Sequence, residues 1–173
     1  FSPTNAHGKE FFKQYQEMYG YYDLFLINPD GYVYYTATRE ADYQTNMVSG
    51  KYKDSNLGYL TRQVLQTKKL GFADYTPYAP SNGAPAAFIA QPLVVDGQVI
   101  TIIALQLPLE GVNGIMQERT GMGESGETYL VGSDKLMRSD SFLDPTGHTV
   151  QASFAGSVAR NGVDTEGVRS GMA

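Results

Sequence analysis

Apolar residues recur first at helical and then at alternating spacing. Phe11, Phe12, Tyr15, Met18 and Tyr19 share one face of a helix over 9–20, which Gly20 ends. A strand over 22–27 follows, then the turn Asn28-Pro29-Asp30-Gly31. Pro29 sets φ at the second turn position and Gly31 can take positive φ. Residues 32–36 are aromatic and β-branched and read as the return strand. Residues 38–55 are polar and irregular. A second helix over 56–69 carries Leu57, Leu60, Val64 and Leu65 on one face. Ser55 or Asn56 is its cap, and Lys68, Lys69 and Gly71 suit its end.

Three further strands are predicted over 72–78, 86–94 and 99–107, with Asp96-Gly97 as a tight hairpin turn. The last is the most apolar, which predicts a central strand buried on both faces. A short helix over 111–119 follows. The pattern predicts an α+β fold in which residues from about 10 to 110 form one closed antiparallel sheet with the 56–69 helix packed on it. After a glycine-rich joint at 121–126, the runs 127–131 and 135–139 flank Gly132-Ser133-Asp134. This repeats the layout of 23–36 and reads as the opening hairpin of a second copy. Residues 141–173 hold too few apolar side chains to offset their ordering entropy alone, so helix-only or weakly packed structure is expected there. The predicted divisions are a helix over 1–20, a first module over 21–119, and a joint with an incomplete second module over 120–173.

Composition narrows the function. With 173 residues and 42% hydrophobic content the chain can build a core. Only 18% is charged, which argues against disorder and coiled coil. The net charge of −5 and the lack of a basic stripe exclude a nucleic-acid partner. There is no cysteine, which removes thiolate metal sites, disulfides and thiol nucleophiles. No apolar run reaches the roughly 18 residues of a membrane span; Val99 to Leu109 is broken by Thr101, Gln106 and Pro108. A start at Phe1 and a bland Ser170-Gly171-Met172-Ala173 end read as a piece of a longer protein.

No catalytic set emerges. Gly121-Met122-Gly123-Glu124-Ser125-Gly126 matches G-x-G-x-x-G, but it follows a helix and precedes a strand, the reverse of a dinucleotide site, and Glu124 would repel a pyrophosphate. It reads as a flexible joint. Ser125 lacks the nucleophile-elbow pattern. His148 lies in a polar loop and His7 near the terminus, and both read as solvated. The acids at 54, 74, 96, 134 and 140 do not have calcium-loop spacing. The chemistry-bearing cluster is aromatic and polar instead. Tyr43, Asn46, Tyr52 and Asn56, with Asp74, Tyr75 and Tyr78 from the strand after the helix, are placed to wall a small-ligand pocket.

Several strings resemble the Cache (PAS-like, PDC) sensor family: Tyr22 to Tyr34, Ala41 to Asn46, Phe72 to Ser81, Pro85 to Ala90 and Leu105 to Pro108. The most specific, Gly121 to Gly132 with Leu136 to Ser139, is similar to the junction between modules of a double Cache region in bacterial methyl-accepting chemotaxis proteins. The resemblance implies a PAS-like five-stranded antiparallel sheet with a long N-terminal helix. It implies an extracytoplasmic small-molecule sensor without enzymatic activity or cofactor. It also implies a receptor anchored in the inner membrane, with this part on its periplasmic or extracellular side, that is homodimeric through the N-terminal helix. The pocket would lie over the concave face, with Tyr43, Asn46 and Tyr52 on the lid, Asp74, Tyr75 and Tyr78 on or beside the third strand, and Phe88 as floor. Asp74 facing it would favour an amine and reject a bare dicarboxylate. Amino-acid sensors of the family carry an Arg-x-Trp-Tyr run; in Ser49-Gly50-Lys51-Tyr52-Lys53 only the tyrosine matches. The same sensor joined to a histidine kinase or cyclic-nucleotide enzyme is the alternative, and a free periplasmic binding protein a more distant one.

Overall fold

A computed structural model describes residues 6–172, with side chains from residue 8 onward; His7's side chain therefore lies outside the described residues. Two compact units divide after Pro108. The first begins with α1, Ala6–Tyr19. It continues through β1 (Asp23–Ile27), β2 (Val33–Thr36), α2 (Asn56–Thr67), β3 (Gly71–Pro77), β4 (Pro85–Val95) and β5 (Gln98–Gln106). The strands form one antiparallel sheet in the order β2-β1-β5-β4-β3. The sheet is open, not closed as the pattern suggested. The backbone of the following loop covers its β2 edge, with Val33 N donating to Thr45 O and Gln44 N to Val33 O.

β5 is central, as expected, but it is not buried on both faces: in its second half Ile102, Ala104 and Gln106 are buried while Ile103 and Leu105 on the other face are half-buried, and Ile100 in its first half is exposed. The strand is longer than the layers that cover it. Alternation sorts the rest. Phe25, Ile27, Ile102, Ala104, Phe88 and Ala90 face α2 and the irregular loop, where Leu57, Leu60, Val64, Met47 and Tyr52 complete the main core. Leu24, Leu26 and Tyr35 face the other way and are covered by Phe12 and Tyr15 of α1.

Two glycines fix the loop over the main core. Gly31 has φ +93, and a Cβ there would lie 2.5 Å from Val48 Cγ2. At Gly58 a Cβ would lie 2.4 Å from the Lys53 carbonyl oxygen, so the first turn of α2 is seated directly on residues 52–53. Ser55 is the cap of α2, accepting from Gly58 N.

The second unit holds α3 (Leu109–Met116), α4 (Val150–Ala155), α5 (Val158–Asn161) and α6 (Glu166–Gly171). The hairpin expected over 127–139 is reduced to a single bridge, Val131 with Met137. An isolated two-stranded ribbon is marginal, and among the described residues no third strand joins it. The tail is helical, as its composition predicted. It docks on this turn: Met137 N donates to Ser153 Oγ, Val163 N to Lys135 O, and Lys135 pairs with Asp164. The glycine-rich joint is held by Arg119, whose guanidinium donates to the carbonyls of Gly123, Glu124 and Gly126.

Candidate functional site

The sequence-predicted residues separate in space. Tyr52, Tyr78 and Phe88 meet in the main core, and Tyr75 is buried on β3. Tyr43 is half-buried, with the Arg39 guanidinium 5.7 Å from its ring centre. The Asn46 side chain organises the loop: Nδ2 donates to Asp30 O, and Oδ1 accepts from the amides of Val48 and Ser49. Asp74 is exposed on β3, an edge strand of the sheet, and accepts from the Tyr75 amide, so it does not face the core. Asn56 donates to the carbonyls of Asp74 and Ala86, tying α2 to β3 and β4.

The polar chemistry lies at one end of the main core instead. Asp42 is fully buried, and its Oδ2 accepts from the Tyr78 hydroxyl at 2.7 Å. The Tyr78 ring packs edge-on against Phe88 at 4.9 Å, and Phe88 meets Phe25 at 6.0 Å. Phe88 pairs across the sheet with Gln106, and Gln106 pairs with Asp23. Gln106 Nε2 reaches Ser81 Oγ at 3.4 Å; that hydroxyl donates to Glu40 Oε2, and Tyr22 donates to Glu40 Oε1. Tyr78, Ser81 and the loop acids are thus gathered around the ends of β1 and β5.

Asp23 is fully committed. It accepts from the amides of Leu24, Ala37 and Thr38 and from the Thr38 hydroxyl, fixing the chain as it leaves β2. Burial pushes its pKa up, against these hydrogen bonds. Asp42 and Gln106 are each only half committed. Asp42 Oδ1 and Gln106 Oε1 are buried without a hydrogen-bond partner among the described residues. Burial raises the Asp42 pKa to about 6, Tyr78 pulls it down, and the negative charges of Asp23 and Glu40 push it up. The hydrogen bond to Glu40 and burial push the Tyr22 pKa to about 12, so its hydroxyl stays a donor. None of the ion pairs among the described residues involves Asp23, Glu40 or Asp42. The cluster is therefore an acidic, acceptor-rich end on an aromatic floor, suited to a donor-rich cation.

Tyr78→Phe is expected to cost about 2 kcal/mol at pH 7, because it leaves both Asp42 oxygens buried and unpaired. Urea unfolding measures this, and a loss under about 0.5 kcal/mol would remove the hydrogen bond's role.

Sequence reasoning missed Asp42 and Gln106. Gln106 did carry a signal: it lies in phase with Ile102 and Ala104 on an apolar strand, where a polar residue must face the core. Asp42 lies in a loop without periodicity and carried none.

Among the described residues no group of three or more His, Cys, Asp or Glu side chains is placed to hold a metal ion, and no helix is long and apolar enough to cross a membrane. The second unit has a cavity of about 290 Å³ lined by Glu127, Tyr129, Ser141, Asp144 and His148 among others. Its polar groups are largely spent on one another. His148 is not a simple solvated histidine, because its Nδ1 is 2.6 Å from Asp144 Oδ2. That contact, with the Gly147 amide, holds Asp144 down to about 2.

No protein-family model matches the chain, and no curated protein matches it in sequence. Solved structures do match. The sensor domain of the Vibrio cholerae histidine kinase DctB is 12% identical with a TM-score of 0.57, over 83% of this chain and 50% of that one. The ligand-binding domain of the Pseudomonas fluorescens chemoreceptor CtaA, in complex with L-serine, is 14% identical with a TM-score of 0.55, over 82% and 57%. An extracellular ligand binding receptor from Desulfohalobium retbaense is 8% identical with a TM-score of 0.64, over 98% and 27%. The chain spans about half the length of the DctB and CtaA domains it matches. The chain has the α+β sensor-domain fold of these proteins: a five-stranded antiparallel sheet flanked by helices.

Proposed function

We propose that this chain is an extracytoplasmic small-molecule sensor region of a membrane-anchored chemoreceptor, and that its ligand carries a protonated amine received by Asp42. The observation that carries the reading is the buried Asp42 oxygen, which among the described residues has no hydrogen-bond partner, beside Glu40 and Asp23, none of the three being paired to a cation among those residues. A buried carboxylate needs a counter-charge or a donor, and an ammonium group supplies both. Gln106 Oε1 is the second acceptor, while Tyr78, Phe88 and Tyr52 supply apolar contact. The fold supports sensing, since the chains it resembles are ligand-binding and sensor domains, one of them in complex with an amino acid. Anchoring in the inner membrane, placement on its outer side and pairing of two copies through α1 belong to the same reading.

Because Asp42 is closed off from solvent, entry requires the 38–55 loop to open. A ligand that stabilises one loop arrangement over another would transmit occupancy by shifting that equilibrium.

The test is a thermal-shift and calorimetric screen of primary amines and amino acids. A ligand at about 100 times its Kd should stabilise the fold by roughly 2.7 kcal/mol. Asp42→Asn should weaken that amine about 100-fold, in line with loss of a buried charged hydrogen bond. Equal affinity in Asp42→Asn, or a screen in which no amine binds, overturns the reading.

A further inference from the structure

A second cavity in the first unit has the opposite charge. It measures about 340 Å³ and lies between α1 and the end of β2, lined by Lys9, Glu10, Lys13, Tyr35, Thr36 and Arg39 among others. Lys9 and Lys13 are four residues apart on one helix and so share a face. The helix is fixed on β2 where the cavity forms: the Tyr35 hydroxyl donates to the Lys9 carbonyl at 3.1 Å, and Phe12 packs on the Tyr35 ring at 5.8 Å. Arg39 is set by a tight reversal. Its φ is +56, and its amide donates to Thr36 Oγ1 at 2.7 Å.

The Arg39 guanidinium lies 5.7 Å from the Tyr43 ring centre, a contact that leaves its charge without an acidic partner among the described residues. Among the described residues neither Lys9 nor Arg39 is in an ion pair, and Lys13 has only an exposed contact to Glu17 at 3.8 Å. Such exposed pairs are worth about 0–1 kcal/mol. The sole lining acid, Glu10, is drawn toward Gln14, whose Nε2 donates to it. Three cations against one acid leave an excess of two positive charges, within a chain whose net charge is −5.

We infer that this cavity is a second binding site, for a compact dianion such as a dicarboxylate or a phosphate monoester. Arg39 offers the planar fork that carboxylate and phosphate groups fit, and the two lysines act as point charges at the other end. The volume is at the small end of the range of ligand pockets. Asp42 does not line this cavity, and Asp23, which stands behind the Ala37 wall, has its carboxylate taken up by the Leu24, Ala37 and Thr38 amides and the Thr38 hydroxyl.

The experiment titrates succinate and, separately, inorganic phosphate into the chain at constant ionic strength. Amide chemical shifts of residues 35–39 and the melting temperature are followed. Saturable shifts at those amides with at least one probe are expected, whereas chloride produces none. Lys13→Gln combined with Arg39→Asn should weaken binding tenfold or more. Asn tolerates the left-handed backbone at 39, and an exposed helical Gln at 13 leaves the fold intact. Glu10→Gln should strengthen binding several-fold. Shifts that fail to saturate with both probes, or equal affinity in the double variant, overturn the proposal.

Discussion

Phe88→Ala should destabilise the first unit by about 4 kcal/mol, the range found when a fully buried phenylalanine is truncated. Phe88 is fully buried on β4 and holds two aromatic neighbours edge-on, Tyr78 and Phe25. It touches the sheet, the segment after β3 and the acid-bearing end of the core together, so no single neighbour can move to fill its space. Aromatic pairs add about 0.5–1.5 kcal/mol each beyond area burial. The control is Phe72→Ala on the neighbouring strand. Phe72 is paired with Ile89 but exposed, and its loss should cost about 0.5 kcal/mol or less. Urea unfolding of both variants measures the contrast. A loss below about 1 kcal/mol for Phe88→Ala would mean that the core closes over the gap, and that Phe88 is not the floor that positions Tyr78.

The elements of the first unit were legible because each had its own period and punctuation. Asn28-Pro29-Asp30-Gly31 turns where its residues require, with Gly31 N donating to Asn28 O. Ser55, Asp96 and Gly97 stand at their boundaries as expected. Openness of the sheet was not legible, since nothing in a strand's own sequence says whether its edge meets another strand or, as at β2, the backbone of a loop. The hairpin over 127–139 failed for a related reason. Alternating apolar residues make a strand only where a partner sheet exists, and there the neighbours are the short tail helices.

The candidate site was half legible. Tyr52, Tyr78 and Phe88 were found because bulky aromatics near a turn or on a strand are natural core or pocket residues. Asp74, in a strand-like run, is the acid that the sequence places in the pocket. Yet Phe72 and Asp74 fall on the exposed phase of β3, and Tyr75 on the buried one, so the alternation itself argues against Asp74. Asp42 is brought under Tyr78 by a contact spanning 36 residues, which no local pattern encodes.

Protonation of Asp42 gives the second large effect. Burial holds its pKa near 6, above the ordinary 3.8, so the folded chain binds this proton more tightly than the unfolded chain does. The sign follows directly. Stability from this group is fully present below about pH 4 and is lost as the pH rises through 6, by an amount on the order of 3 kcal/mol. Tyr78 faces Asp42 as a donor, and Asp23 and Glu40 face it as negative charges, so no partner reverses the direction. Asp23 is raised by burial and acts in the same direction, whereas Asp134, Asp144 and Asp164 are lowered and act oppositely. The measurement is therefore the difference between the parent and Asp42→Asn, by urea unfolding from pH 4 to 8. The parent should lose stability relative to the variant across pH 4–6 and run parallel to it above 7. Amine binding has the reverse dependence, because the ammonium needs the ionised carboxylate. Its affinity should fall about tenfold per pH unit below 6, so that a ligand found at pH 7 binds about 100-fold more weakly at pH 4. A binding profile flat from pH 4 to 7 would separate the ligand from Asp42, whatever its affinity.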